Sequence, residues 1–222
     1  IILLTHADRL PAVVETVLAS AFSGHAAVGG FAGAGVMQAL RFGVARGLFS
    51  NEAGLGSAPM VHATARTDHP VRQGLYGIFE VFVDTMLVCL TTGLVVLVTG
   101  EWTRGTTGAA LAAKAFEAGL PGVWGDVVVT TGILTFAFST LLGWSFYGET
   151  ATSYLLGTRA ILPYRLLWLV AAWLGATGSL HVVWDVADTL NGLMALPNLV
   201  ALLLLSPVVA RSLRDFAERE RA

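Results

Sequence analysis

The stretch GGFAGAGVMQALRFGVARGLFSNEAGLGSAPMVH, residues 29–62, interrupts a very apolar chain with glycine where a membrane helix would otherwise be continuous. An unpaired backbone amide or carbonyl is costly in hydrocarbon, so a loosened helix at membrane depth is tolerated only where protein or a water-filled cavity surrounds it. Broken helices of this kind usually mark binding sites. The stretch therefore predicts an interrupted first membrane helix with a ligand site beside it.

The composition is that of an integral membrane protein. Apolar residues make up 55% of the 222 residues and charged residues 13%, against roughly 25% charged in an average soluble domain. The mean hydropathy is +0.71. The charges lie between apolar runs, each near the roughly 20 residues that a helix needs to cross a bilayer. Five runs predict an all-α polytopic protein with five transmembrane helices: 22–47, 74–99, 126–148, 161–178 and 182–206.

Basic residues predict the orientation, because Lys and Arg in short loops favour the cytoplasmic side. Ten arginines fall on one side of the predicted spans and three basic residues on the other. We therefore expect residues 1–21 outside, as the end of a preceding helix followed by an amphipathic segment. Residues 22–206 would form the five-helix repeat and residues 207–222 a cytoplasmic tail. The expected location is the plasma membrane, in bacteria the inner membrane.

The ends and the cysteine content narrow the class further. The chain opens IILLTHADR, without an initiator Met or a signal-peptide pattern, and reads like the back half of a longer protein. The single cysteine, Cys89, excludes a disulfide framework and a multi-thiolate metal site. The net charge of −2 indicates no nucleic-acid partner. No motif predicts a resident cofactor.

The glycines of the first run have two readings. Gly29 and Gly33 show the GxxxG spacing with which transmembrane helices pack closely. Alternatively, the segment that contains Gly29, Gly30, Phe31 and Gly33 is unwound, because glycine adopts positive φ without steric cost and lets a ligand approach the backbone. Its exposed N–H and C=O groups would then bind a small zwitterion or a monovalent cation.

The segment after Arg46 is too polar for hydrocarbon and too apolar for a solvated linker, which predicts a short helix or re-entrant turn at the cytoplasmic mouth. Ser50 or Asn51 is the expected N-cap of that short helix. His62 and His69 lack the spacing of metal ligands, so we expect them to be surface histidines.

Glu80 and Asp84 lie four residues apart, on one helical face of the second run. Asp84 falls near mid-membrane, where a carboxylate costs at least about 2.5–3.5 kcal/mol on insertion scales and should face a partner. The two carboxylates are therefore either structural, bonded for instance to Arg41 or Arg46, or involved in ion or proton coupling.

Hydroxyl groups recur along the third run, at Ser139 and Thr140, with Trp144 one turn further on. Such a stripe either packs helices together by back-bonding or supplies neutral oxygens to a small cation, with Trp144 closing a pocket. In the fifth run Asn191 precedes Pro197, which removes a backbone donor and predicts a bent helix.

Four strings occur in the order and spacing typical of the alanine/glycine:cation symporter family, also called sodium:alanine symporters. They are GVARGLFSNEAGLGSAPMVHA (43–63), QGLYGIFEVFVDT (73–85), AFSTLLGWSFYGE (137–149) and DTLNGLMALPNLVALLLLS (188–206). The chain resembles this family from about residue 21 to residue 206. The resemblance implies the second inverted repeat of an amino acid–polyamine–cation (LeuT-type) transporter core. Its first helix would be broken, and the N-terminal repeat of the same transporter would be missing.

The resemblance also implies site residues. Ser139 and Thr140 would supply sodium ligands, and Thr140 and Trp144 would contact the substrate. The backbone face of the pocket would come from four residues: Gly29, Gly30, Phe31 and Gly33. The polar residues Glu80, Asp84 and Asn191 are candidates for a coupling or structural role. The implied partners are alanine or glycine, Na⁺ as coupling ion, and the lipid bilayer.

The expected function is sodium-coupled symport of a small neutral amino acid by alternating access, without enzymatic chemistry. One alternative is a membrane-embedded hydrolase that uses Ser57, His62 or Asp84. It is less favoured, because Ser57 and His62 are expected at the cytoplasmic surface and the span of Asp84 contains no histidine. The other alternative is a structural membrane subunit that does not transport.

Overall fold

A computed structural model describes residues 1–22 and 43–221, which contain helices and turns but no strand. This confirms the predicted all-α class for that part of the chain. The helices are α1 (Ile2–Thr5), α2 (Leu10–Phe22), α3 (43–51), α4 (Ala58–His62), α5 (Pro70–Phe82), α6 (Leu90–Thr99), α7 (Gly108–Gly119), α8 (Trp124–Leu156), α9 (Ile161–Thr177) and α10 (Leu180–Arg219). The predicted break at Gly29–Gly33 lies outside the described residues, as does most of the run 22–47.

Four helical stretches of the described chain are long and apolar enough to cross a membrane: Pro70–Thr99, Trp124–Leu156, Thr158–Thr177 and Leu180–Arg219. They coincide with the second to fifth predicted runs and confirm them. The second and fourth of these stretches have 33 and 40 residues, and at about 1.5 Å per residue they exceed the roughly 30 Å of bilayer hydrocarbon. Their ends therefore extend beyond the apolar layer.

The first of these stretches is not α-helical throughout. A π-helical segment, Val83–Cys89, joins α5 to α6. It contains Asp84, the carboxylate predicted near mid-membrane, and the Cys89 thiol donates to Asp84 Oδ1 over 3.8 Å. π-Helical turns are rare and occur frequently at functional sites. The π-helical segment therefore contains the carboxylate of Asp84, a group that is costly in an apolar span.

The chain divides into two compact units, of which the first comprises Ile1–Val44 and Val83–Ser139. Its core is small: Ile2, Val95, Val98 and Ala115 are buried, and partly buried apolar side chains from α2, α6 and α7 surround them. Arg9 Nη1 donates to the Val98 carbonyl over 3.2 Å, which fastens the N-terminal segment to the end of α6.

The second unit comprises Ala45–Phe82 and Thr140–Ala222. Polar side chains are prominent among its buried residues, since Ser57, His69 and Asn191 accompany Leu55 and Ala195. A buried polar group is costly unless it is hydrogen-bonded, and such groups in a membrane protein usually serve packing or function. The buried polar residues therefore make the second unit the candidate location of a binding site.

The last helix, α10, continues through Pro197 and Pro207 to Arg219 without interruption. Each proline removes one backbone donor from the helical ladder. The bend expected at Pro197 and the boundary expected between the repeat and the tail at residue 206 stay predictions.

Candidate functional site

The hydroxyl stripe predicted on the third run lies on α8. Ser139 Oγ donates to the Phe136 carbonyl over 3.0 Å, which is the back-bonding expected of a packing hydroxyl. Thr140 is exposed, and Trp144 is half-buried with its ring edge against Tyr147 at 5.8 Å between centroids. The four predicted backbone residues of the pocket, Gly29, Gly30, Phe31 and Gly33, lie outside the described residues, so this proposed pocket stays a prediction.

The other predicted polar residues have distinct surroundings. Glu80 Oε2 lies 3.2 Å from His62 Nε2, and its side chain is 69% exposed. Asp84 lies in the π-helical segment. Asn191 is buried, and its Nδ2 finds no hydrogen-bond partner among the described residues. Their role in coupling or in structure is untested.

Arg46 of α3 forms an ion pair with Asp188 of α10. Its Nη2 donates to Asp188 Oδ1 over 2.8 Å and to Oδ2 over 2.6 Å. Its guanidinium also stacks on the Trp184 ring at 3.8 Å from the centroid, and Phe49 meets the same ring edge-on at 5.4 Å. The sequence suggests Arg46 as one possible partner of Glu80 or Asp84. Arg46 instead pairs with Asp188, because α3 lies against α10.

The segment between α3 and α4 forms a tight turn around Glu52. Glu52 adopts a φ of +50°, which is uncommon for a residue with a side chain. Its Oε2 accepts a hydrogen bond from Ser57 Oγ over 2.7 Å, and the Tyr147 side chain of α8 is close enough to interact with Glu52. A hydroxyl donor from its own turn thus holds this carboxylate.

The turn packs tightly against α10. Gly54 and Gly56 have φ values of +89° and +82°, which glycine adopts without strain. A Cβ on Gly56 would lie 2.9 Å from Asn198 Oδ1, so a side chain there would collide with α10. Leu55 and Ser57 are buried at 3% and 0% exposure. A turn and the short helix α4 are present here, but Ser57 rather than Ser50 or Asn51 precedes that helix.

A cavity of about 360 Å³ opens between this turn and the neighbouring helices. Its polar wall includes the side chains of Glu52, His62, Glu80, Tyr147 and Asn198, all of which belong to the second unit. The volume falls in the range of small-molecule sites, roughly 300–1,000 Å³. Gln73 Nε2 lies 2.8 Å from His62 Nδ1 and orients this histidine toward Glu80.

His69 contradicts the expectation of a surface histidine, since it is only 7% exposed. Its Nε2 lies 3.2 Å from Asp215 Oδ2, and its ring packs at 5.1 Å from the ring of Phe216. The Val71 amide donates to its Nδ1 over 3.2 Å. The reason for the difference is that α10 extends to Arg219 and covers the start of α5, which no local pattern indicates.

Sequence reasoning missed Glu52, Tyr147, Asn198 and Asp188 as site residues. All four lie within the strings that carried the family resemblance, and Tyr147 follows Trp144 by three residues. The two glycines after Glu52 were the available signal for a tight turn. The structure also weakens the hydrolase alternative, because Ser57 donates to Glu52 and not to a histidine.

The comparisons with known proteins agree with one another. Residues 1–222 match the Sodium:alanine symporter family. The sodium/alanine symporter AgcS of Methanococcus maripaludis is 48% identical over 91% of this chain and 44% of its own length. An uncharacterized transporter of Haemophilus influenzae is 44% identical over 99% of this chain and 48% of its own length. The probable sodium/glutamine symporter GlnT of Bacillus subtilis is 38% identical over 100% of this chain and 46% of its own length.

The chain spans about half the length of the curated relatives it matches. No solved structure matches it significantly. The family and these relatives are transporters by name and not enzymes, as the sequence analysis expected. With four membrane-spanning stretches and a match along its whole length, the chain belongs to the sodium:alanine symporter family.

Proposed function

We propose that the chain forms one half of the transport core of a sodium-coupled symporter for a small neutral amino acid, alanine or glycine. The observation that supports this most is the family match over all 222 residues. The names of two relatives specify sodium with alanine or with glutamine, so a neutral amino acid is the substrate class in common. The coupling ion proposed for this chain is Na⁺.

The architecture proposed is the second inverted repeat of a LeuT-type core in the plasma membrane. The other repeat of the same transporter would complete it. The N-terminal end of this chain would lie outside and the C-terminal end in the cytoplasm, because arginines dominate the loops on that side. Residues 1–21, 22–206 and 207–222 would be the outer segment, the five-helix repeat and the tail.

The residues proposed for the pocket follow the resemblance position by position. The backbone of Gly29, Gly30, Phe31 and Gly33 would bind the zwitterion, and Thr140 and Trp144 would contact its side. Ser139 and Thr140 would ligate sodium. The back-bond from Ser139 uses its proton only, and a hydroxyl oxygen keeps lone pairs for a cation. Glu80, Asp84 and Asn191 would serve coupling or structure.

The proposed mechanism is alternating access around a site at membrane depth. The charge of Na⁺ would offset that of the substrate carboxylate, so each ligand would reduce the desolvation cost of the other. The membrane potential would then favour inward movement of the charged complex, by about 2.3 kcal/mol per charge per 100 mV. No covalent step is required.

Uptake of labelled alanine by proteoliposomes of the complete transporter, with and without a sodium gradient, tests the proposal. Sodium-dependent uptake is expected, whereas a structural subunit would show none. Thr140→Val keeps the shape and removes the hydroxyl, and we expect the sodium affinity to fall roughly tenfold or more. Thr177→Val on α9, whose hydroxyl only back-bonds to Trp173 over 3.0 Å, is the matched control. Unchanged sodium affinity in Thr140→Val would remove Thr140 from the site.

A further inference from the structure

The cavity beside the Glu52 turn is lined by a carboxylate that has no basic partner among the described residues. Glu52 accepts a hydrogen bond from the Ser57 hydroxyl over 2.7 Å, and a hydroxyl donates without carrying charge. No basic side chain of the described residues lies within ion-pair distance of Glu52. A half-buried carboxylate without a counter-charge is unfavourable, so a cationic ligand would stabilise it.

The second carboxylate of the cavity, Glu80, strengthens the negative potential. Its partner His62 lies at 3.2 Å. Gln73 Nε2 lies 2.8 Å from the other ring nitrogen of His62, Nδ1. Lys and Arg are absent from the described residues that line the cavity. Tyr147 lines the same cavity as the two carboxylates.

The oxygens on this wall suit an ammonium group. An ammonium has three N–H donors and no acceptor, and the residues that line the cavity include Glu52, Tyr147 and Asn198, whose side chains carry oxygen acceptors. The described residues contain no group of three or more His, Cys, Asp or Glu that could hold a metal ion. The cavity, at about 360 Å³, has room for a small organic molecule.

From these observations we propose that the cavity is a second station for the transported amino acid, which binds its ammonium group at Glu52, Tyr147 and Asn198. The inference rests on the proposed function and names a site that is separate in residues from the pocket around Thr140.

Binding of labelled ethylamine to the purified complete transporter tests the site, because ethylamine carries the ammonium group without a carboxylate. We expect Glu52→Gln to weaken its binding about tenfold, the effect of losing one charged hydrogen bond. Glu218→Gln, on the exposed end of α10, is the matched control and should bind as the parent does. Propionate, which has the carboxylate alone, should not compete, whereas alanine should.

A second variant tests the inference in case Glu52→Gln does not fold. Tyr147→Phe keeps the ring and removes one oxygen, and it should weaken ethylamine binding several-fold. Equal binding by the parent and a folded Glu52→Gln, or by Tyr147→Phe if Glu52→Gln does not fold, would overturn the inference. So would competition by propionate as strong as that by alanine.

The two proposals fail in different ways. Ethylamine binding that is lost in Thr140→Val but kept in Glu52→Gln would place the amine in the other pocket, and it would refute only this inference. Absence of sodium-driven alanine uptake by the parent would refute the proposed function. Loss of binding in Glu52→Gln with Thr140→Val unaffected is the result that supports a separate station.

Discussion

Replacing Asp188 by asparagine removes the charge that Arg46 binds and keeps the size of the side chain. The pair is short, with both carboxylate oxygens within 2.8 Å of Arg46 Nη2. Asp188→Asn leaves the guanidinium stacked on Trp184 at 3.8 Å but without its counter-charge. The Arg46 Nη1 atom already has no hydrogen-bond partner among the described residues. The variant is therefore expected to weaken the attachment of α3 to α10.

The magnitude depends on how much solvent reaches the pair. The Arg46 and Asp188 side chains are 37% and 23% exposed. An exposed ion pair contributes about 0.2–1 kcal/mol, and polar contacts in a membrane protein average about 0.6 kcal/mol with a maximum near 1.7. Stacking on the indole adds about 0.5–1 kcal/mol, but this term survives in Asp188→Asn. We expect a coupling free energy of about 1–1.5 kcal/mol between Arg46 and Asp188.

A double-mutant cycle measures this coupling, from the free energy of unfolding of Arg46→Gln, Asp188→Asn and the double variant in mixed micelles. The matched control is the cycle for Arg165 and Glu149, which are joined at 2.7 and 2.9 Å. Their side chains are 60% and 25% exposed, so their coupling should be smaller, about 0.5 kcal/mol. Additivity of the Arg46 and Asp188 changes within about 0.3 kcal/mol would refute the reasoning.

Five further substitutions test the packing through the free energy of unfolding. Gly125→Ala should lower it by about 1–3 kcal/mol, because the new methyl group meets the backbone of α7. Gly143→Ala on the same helix has nothing within 4 Å and should raise it by about 0.5–1 kcal/mol; equal effects would disprove this assignment. Gly56→Ala should lower the free energy of unfolding by about 1–2 kcal/mol, since φ is +82° and Asn198 is close. Adding Asn198→Ala should restore only part of that stability, whereas full restoration would exclude backbone strain as a cause. Asn191→Leu removes a buried amide whose Nδ2 has no partner among the described residues and should leave stability equal or higher; a loss above about 1 kcal/mol would contradict that.

The membrane spans could be predicted because they depend on local properties. Length and hydropathy decide whether a helix can lie in hydrocarbon, and four of the five predicted runs correspond to helical stretches in the described chain. The irregular helix at Asp84 was not predicted, although the carboxylate itself was recognised as unusual. A π-helical turn depends on the packing of a whole helix, and the local sequence around Asp84 has no distinctive pattern for it.

The sequence predicts that the polar residues of the apolar chain need hydrogen-bond or ion-pair partners, but it does not identify those partners. Arg46 in an apolar chain needs an acceptor, and the sequence contains several carboxylates at suitable depth. The observed partner, Asp188, lies 142 positions away. Likewise His69 was expected on the surface, yet the far end of α10 covers it. In both cases the contact depends on which helices are neighbours.

Composition, apolar run length and the four family strings are enough to identify an α-helical membrane transporter and its family, because these features are written along the chain and need no contact between distant residues. The Glu52 turn, its hydroxyl donor and the cavity beside it emerge only when α5, α8 and α10 come together around the segment 52–57. Solvation energy is a sum over residues, whereas a binding site is a set of distances between residues that are far apart in sequence.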